Sequence, residues 1–347
     1  MAMTRGYGVF LLRRLGFAAL TLLGLATIAF VMTKMIPGDE AQIAAGPDAA
    51  PEQVEAVRLR LGLDVPLALQ YLRFLYRVLQ GDFGTSITTY QPVVADVAQV
   101  LPGTLELVLL AMILNLFIGI PCATFAAVRR DRLPDLIGRV VAVIAGGLPI
   151  FWLALMLQYF IASKLKLLPI SGQYSFDFSA ETRTGMPVFD ALLGGDLTSL
   201  RDALAHVVLP AGVLALHFSA QIFRALRVSL LGVLEGDFIV PVRAKGASIG
   251  RILLRHALPN SMAPVLTLAG TQVAEMLGSA VLVEVVFARQ GVGAYLANAV
   301  LQKDTFAVVG TVLFVGILVC AVNLLVDVLH LALDPRIRAT ALGGVRA

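Results

Sequence analysis

Residues 107–128 read LVLLAMILNLFIGIPCATFAAV, which is 22 consecutive positions without Asp, Glu, Lys or Arg. A helix needs about 20 apolar residues to cross the hydrocarbon core of a bilayer. Five comparable stretches occur elsewhere in the chain, at 15–33, 140–163, 203–223, 257–274 and 305–326. The sequence therefore predicts an all-α, polytopic membrane protein with six transmembrane helices.

The composition agrees with a membrane protein. The chain has 347 residues, of which 58% are hydrophobic and 14% are charged. Soluble domains contain about 45–50% apolar and about 25% charged residues, so a soluble enzyme is excluded, and so is a disordered chain. The net charge of +4 fits loops facing anionic lipid and needs no nucleic acid. Cys122 and Cys320 lie in apolar runs and form no disulfide or metal-binding pattern.

The spacing of polar segments predicts four regions. We expect the N-terminus and first helix at 1–34, an extracytoplasmic segment at 35–100, a core of five helices at 101–335, and a tail at 336–347. The extracytoplasmic segment carries eight of the 23 acidic residues and includes a predicted short helix at Pro51–Leu61. Within the core we expect an extracytoplasmic loop at 165–202 and a cytoplasmic loop at 230–260.

The arginines indicate the orientation. The short loop at 129–139 carries four of them, and short loops rich in Lys and Arg face the cytoplasm. Both termini are then cytoplasmic. The first apolar stretch is longer than the 7–15 residues typical of a signal peptide and lacks a small-residue cleavage site, so we interpret it as a retained helix.

The cytoplasmic loop contains GDFIVPVRAKGASIGRILLRHALPN at 236–260. Apolar residues recur on one helical face and arginines on the other, namely Ile249, Ile252 and Leu253 against Arg251 and Arg255. Such a helix either lies on lipid headgroups or docks a cytoplasmic partner.

Local signals delimit this helix. Ser248 is a suitable N-cap, and Pro241 suits the first turn of a preceding helix that runs to Lys245. Gly246 would break the chain between the two helices.

The motif RAKGAS at 243–248, followed by LLRHAL at 253–258, resembles the cytoplasmic loop of ABC-importer permeases for di- and oligopeptides. The general importer pattern is EAA, three residues, Gly, nine residues and I-x-L-P. Gly246 matches its glycine, and Leu258 with Pro259 matches its end. The chain departs from this pattern at 240–242, which reads VPV, and at His256.

The resemblance extends over nearly the whole chain. Further matching stretches are MIPGD at 35–39, LRLGLDVP at 59–66, GDFGTS at 81–86, LPGTLEL at 101–107, PIFW at 149–152, VEVVF at 283–287 and LDPR at 333–336. Arg289-Gln290 is a departure, because the family usually has Trp-Pro there.

The resemblance implies one permease subunit of an importer in the bacterial inner (plasma) membrane. Its partners would be a second homologous permease, two ATPase subunits that bind ATP and Mg, an extracytoplasmic peptide-binding protein, the peptide substrate and membrane lipid. The chain has no GxxxxGK[ST] motif, so ATP hydrolysis would reside on the partners, with no catalytic residue or cofactor here. The ATPase-coupling residues would be Arg243, Ala244, Lys245, Gly246, Ala247, Ser248, Ile249, Arg251, Ile252, Leu253, Arg255, Leu258 and Pro259.

Polar residues inside the predicted helices are functional candidates, because burying them in a membrane is costly. Gln272, Glu275 and Ser279 share one helical face. They would either line the translocation path or contact the partner permease. Glu106 and Glu284 fall near outer helix ends and suit structural roles, and Asn115 suits an interhelical hydrogen bond.

Other functions remain open from the residues. Related permeases that import glutathione, nickel complexes or opines share these motifs. A secondary transporter would favour inverted repeats, and none is visible. An intramembrane enzyme would need a motif such as HExxH or GxSxG, which the sequence lacks. His206 and His256 are separated by a helix, so we expect no metal site.

Overall fold

A computed structural model describes residues 2–35, 39–46, 49–236 and 239–333. Within these ranges the regular structure is helical, which confirms the predicted all-α class. Two π-helical stretches, Gln158–Lys164 and Leu253–Ala257, follow α7 and α11 directly. The α-helices are α1 (Ala2–Met35), α2 (Glu40–Ala45), α3 (Pro51–Leu61), α4 (Leu67–Leu79), α5 (Val93–Val128), α6 (Leu133–Gly147), α7 (Ile150–Leu157), α8 (Pro187–Gly194), α9 (Leu197–Leu234), α10 (Ile239–Ala244), α11 (Ile249–Ile252), α12 (Leu258–Ser261), α13 (Ala263–Val286), α14 (Val292–Leu301) and α15 (Thr305–Leu333).

Five of these helices are long and apolar enough to cross a membrane, namely α1, α5, α9, α13 and α15. A sixth crossing is built from two pieces, α6 and residues 150–164, which are bent by 109° at a short break. The six predicted crossings are confirmed when this bent pair counts as one.

The broken crossing differs from the continuous helix expected at 140–163. The helix begins earlier, at Leu133, and stops at Gly147. Leu148 then adopts an extended conformation with φ −78° and ψ 140°, because the ring of Pro149 disfavours a helical residue before it. Pro149 also has no N–H to continue the helical hydrogen bonds, so the chain changes direction here.

The described residues form two compact units. The first holds the chain up to Gln99 together with Tyr295–Leu324. In it the polar segment after α1 is helical, and the helix predicted at Pro51–Leu61 is confirmed as α3. Helix α4 packs on α1 through the aromatic side chains of Phe30 and Tyr71, whose ring centroids lie 5.3 Å apart.

Asp304 is a buried carboxylate that connects two segments of this unit. Asp304 accepts hydrogen bonds from the Ser86 hydroxyl at 2.6 Å and from the backbone N–H of Ala307 at 3.0 Å. The Ala307 bond caps the start of α15, where backbone N–H groups have no helical partner. Asp304 therefore joins the loop before α5 to the first turn of α15.

The second unit holds Val100–Ala294 and continues from Leu325. Helix α9 is its most buried crossing, and α5, α6 and α13 pack around it. Glycines permit close contact. A Cβ on Gly138 of α6 would lie 2.7 Å from the ring of Phe223 in α9. The loop expected at 165–202 contains the short helix α8 and ends earlier than predicted, because Asp196 caps α9 and the helix begins at Leu197.

Candidate functional site

The basic segment, defined as residues 239–261, joins α9 to α13 and is a chain of short helices. Gly246 has φ +75°, a left-handed conformation that glycine adopts without strain, so the predicted break at this residue is confirmed. Helix α10 ends at Ala244, one residue before the predicted end. Ser248 precedes α11 as its N-cap residue, although its hydroxyl makes no capping bond.

The cationic side of the basic segment is exposed. Lys245, Arg251 and Arg255 are all open to solvent, and the side chain of Arg243 lies outside the described residues. On the other side Ile252 is 2% exposed and Leu253 is half-buried, whereas Ile249 is 53% exposed. The predicted amphipathic helix is therefore present, with Ile249 at its edge. The remaining predicted coupling residues are exposed or half-buried, namely Ala244, Ala247, Leu258 and Pro259.

Apolar contacts fix the basic segment to the ends of two long helices. Ala257 is buried against Leu230 of α9 and Ala127 of α5, and Leu253 packs on the same cluster. Beside this cluster a cleft of about 390 Å³ opens between the two helix ends and α10. Because Ala257 and Ala127 are small, the helices approach closely, and the segment is held as part of the second unit.

Ion pairs join the neighbouring loop to α9. Asp135, at the start of α6, is fully buried and accepts two hydrogen bonds from Arg227, at 2.5 and 2.6 Å. This two-bond geometry fixes the orientation of both side chains. Arg130 pairs with Glu235 at the end of α9. The loop between α5 and α6, which carries Arg130, and the basic segment are thus both attached to α9.

The polar stripe predicted on α13 is divided by the structure. Gln272 is fully buried and accepts a hydrogen bond from Asn115 at 2.8 Å, which confirms the interhelical bond expected of Asn115. Its own amide donates to the Phe218 carbonyl of α9 at 3.1 Å. Glu275 is exposed and Ser279 is half-buried. Gln272 thus joins three crossings, while Glu275 is open to the surroundings of the helix.

His217 of α9 lies near Glu275. The two side chains are close enough to interact electrostatically, and the imidazole faces the backbone of Ala145 and Leu148 at the break in the bent crossing. Within the described ranges, no three His, Cys, Asp or Glu side chains are grouped to hold a metal ion.

The family of binding-protein-dependent transport system inner membrane components matches residues 119–339, and the N-terminal model of the same family matches 8–108. The chain belongs to this family. Its permease relatives include the dipeptide transport system permease protein DppB of Escherichia coli strain K12, 38% identical over 333 residues, which are 95% of this chain and 98% of that protein. The di/tripeptide transport system permease protein DppB of Pseudomonas aeruginosa is 37% identical over 330 residues, again 95% and 98% of the two chains.

The family match places this permease in the inner membrane as a multi-pass protein, and it covers both the basic segment and the α13 stripe. A third relative, the probable D,D-dipeptide transport system permease protein DdpB of Escherichia coli strain K12, is 38% identical over 319 residues, 92% of this chain and 94% of that protein.

A buried polar network of the permease was not predicted from the sequence as a unit. Arg289, which stands where the family usually has Trp, is 1% exposed and pairs with the fully buried Glu106. Glu106 also accepts a hydrogen bond from the backbone N–H of Val188 in α8, at 2.7 Å. The network joins α5, α8 and the loop after α13. The sequence held two hints of this network. Arg289 departs from the family pattern, and Glu106 is an acidic residue near the end of a predicted crossing.

Glu284 extends the order around this network. It accepts hydrogen bonds from the Thr104 hydroxyl at 2.6 Å and the Gly293 N–H at 2.7 Å. A Cβ on Gly291 or Gly293 would lie within 3 Å of the Glu284 carboxylate, so only glycine permits this approach. The structural roles expected of Glu106 and Glu284 agree with these contacts.

Proposed function

We propose that this permease is one of two membrane subunits of an ATP-driven importer and forms the translocation path for di- and oligopeptides. A second homologous permease would complete the path, an extracytoplasmic binding protein would deliver peptide, and two cytoplasmic ATPases would bind ATP and Mg. The observation that carries the proposal is the basic segment, which exposes cations while its apolar residues attach it to α5 and α9.

The coupling step follows from this attachment. Arg251 and Arg255 would pair with acidic residues of an ATPase, and the exposed Ile249 would add an apolar contact. Closure of the ATPase pair would then displace the basic segment as a rigid body. Since Ala257 and Leu253 pack on the ends of α5 and α9, the displacement would tilt those helices and open the path to the other side.

Co-purification tests the coupling surface. The tagged permease is extracted in mild detergent with its native partners, and the bound ATPase is quantified. We expect the double variant Arg251→Glu, Arg255→Glu to lose the ATPase. A matched control is Arg129→Glu, Arg132→Glu, which makes the same charge change on exposed arginines of the loop between α5 and α6. Equal ATPase retention in both variants would refute the assignment of the basic segment.

We further propose that Gln272, Glu275 and Ser279 form one wall of the path, with Gln272 holding the wall and Glu275 receiving the peptide amine. A charge-assisted hydrogen bond is worth about 1.5–3 kcal/mol, so Glu275→Gln should raise the KM for peptides with a free amine by about tenfold or more. N-acetylated peptides serve as the control, because they carry no amine charge. The same KM change for both peptide classes would exclude this role of Glu275.

A further inference from the structure

A groove of about 390 Å³ lies in the first unit, between α1 and α15. One side is formed by residues 25–32 of α1 and the other by residues 305–312 of α15, with Val300 of α14 and Lys303 at one end. Apart from Lys303 and Thr305, its lining is apolar. Both long helices are membrane crossings by length and composition, so this groove lies where lipid chains are the solvent.

Helices α1 and α15 pack on each other beside the groove, through Ala26 and Ala29 of α1 and Val309 and Leu313 of α15. A Cβ on Gly316 of α15 would lie 2.2 Å from Leu25 of α1, so the helices touch there. The groove extends toward Met32 and Thr305, which lie near the end of α1 and the start of α15. Eight residues rise about 10 Å along a helix, and the hydrocarbon core is about 30 Å thick. The groove therefore fits within one leaflet, with Lys303 at the water interface.

Lys303 is available to an anion. Its side chain is exposed, and it makes no ion pair within the part of the chain that the structure describes. The neighbouring carboxylate, Asp304, is buried and already accepts hydrogen bonds from Ser86 and Thr88. A single uncompensated cation thus stands at the mouth of an apolar groove.

We propose that this groove binds an anionic phospholipid of the surrounding membrane, with one acyl chain between α1 and α15 and the phosphate at Lys303. The apolar lining suits an acyl chain, and a lysine at the interface attracts anionic headgroups more strongly than zwitterionic ones. On the topology predicted above, this lipid belongs to the extracytoplasmic leaflet. The proposal is independent of peptide transport.

Photo-crosslinking of the intact importer tests the site. The complex is reconstituted in vesicles of equal phosphatidylglycerol and phosphatidylcholine, with a trace of phosphatidylglycerol that carries a photoactivatable acyl chain. After proteolysis of the permease, the labelled fragments are identified by mass spectrometry. We expect labels at residues 25–32 and 305–312, and about fivefold less labelling there in Lys303→Gln. Lys166→Gln is the matched control, since Lys166 is an exposed lysine outside this groove.

Two further measurements complete the test. Val308 is half-buried in the groove wall, so Val308→Phe should fill the groove and remove the label without touching Lys303. A phosphatidylcholine probe should label less and be insensitive to Lys303→Gln. Equal labelling by both probes, an unchanged yield in Lys303→Gln, or no label at these helices would overturn the proposal. Peptide uptake by the same vesicles reports on the transport function separately.

Discussion

Arg289 and Glu106 form an ion pair in which neither side chain reaches solvent. Removing one partner of a buried pair leaves an uncompensated charge and costs about 3–5 kcal/mol. We therefore expect Arg289→Met to lower the unfolding temperature of the purified permease strongly. The double variant Glu106→Gln, Arg289→Met should recover much of the loss, because no buried charge remains and the new side-chain amide oxygen can still accept from the Val188 N–H.

Thermal unfolding in detergent, followed by size-exclusion chromatography, measures both variants. If the double variant is as unstable as Arg289→Met alone, the loss comes from the shape of the arginine side chain, and the charge explanation is wrong. Glu55→Gln provides a surface control, since Glu55 contributes to an exposed pair with Arg58.

Asp196 is a second residue with a testable charge. It lies outside the membrane crossings, and hydrogen bonds from the hydroxyl and N–H of Ser199 lower its pKa to about 2. A carboxylate whose pKa is lower in the folded state stabilises that state above its unfolded pKa of about 3.9, and the effect is lost as the pH falls further. We expect the first turn of α9 to lose hydrogen-exchange protection between about pH 4 and pH 2.

The matched variant for this measurement is Asp196→Asn, which keeps the capping oxygen but cannot ionise. Its exchange at Ser199, corrected for the intrinsic rate, should be independent of pH over the same range. A pH-dependent loss of the same size in Asp196→Asn would assign the effect to other groups.

At the scale of elements, the contact of α6 with α9 depends on Gly138. A Cβ there would lie 2.7 and 2.9 Å from two ring carbons of Phe223, which is 4% exposed and has little room to move. Gly138→Ala should destabilise the permease by about 1–3 kcal/mol. Gly212→Ala is the control, because nothing lies within 4 Å of its added carbon. Chemical denaturation in detergent compares the two, and equal midpoints would contradict this account of the helix contact.

Helices and breaks with local signals were predictable from the sequence. Pro51 and Gly62 mark the two ends of α3. The break at residue 246 follows from the glycine itself, which lies between the helix-start signals of Pro241 and Ser248. The bend at Leu148–Pro149 was missed, because a count of uncharged residues does not register the backbone constraint of a proline. The pairing of Arg289 with Glu106 joins residues 183 positions apart, and no local pattern specifies such a contact.

At the scale of the whole molecule, burial is unevenly shared among the crossings. In the most apolar window of α9, 67% of residues are buried, whereas the share is 11% in α1 and 22% in α15. Apolar surface left open by a single chain must be covered by lipid or by protein. Helix α9 is therefore the central helix of its unit, while α1 and α15 present most of their apolar surface outward.

The orientation of the whole chain is the remaining prediction, and two exposed positions test it. Phe176 is fully exposed in the loop before α8, and Ser248 is exposed in the basic segment. In a background with Cys122 and Cys320 changed to Ala, we expect Phe176→Cys to react with a membrane-impermeant maleimide in intact spheroplasts. Ser248→Cys should react only after permeabilisation, because the predicted orientation and the proposed coupling role both place the basic segment in the cytoplasm. The Ser248 hydroxyl makes no capping bond, so this substitution leaves α11 intact.

Equal labelling of both variants in detergent verifies that each thiol is reactive. The reverse pattern in spheroplasts would place the basic segment outside and exclude its role in coupling.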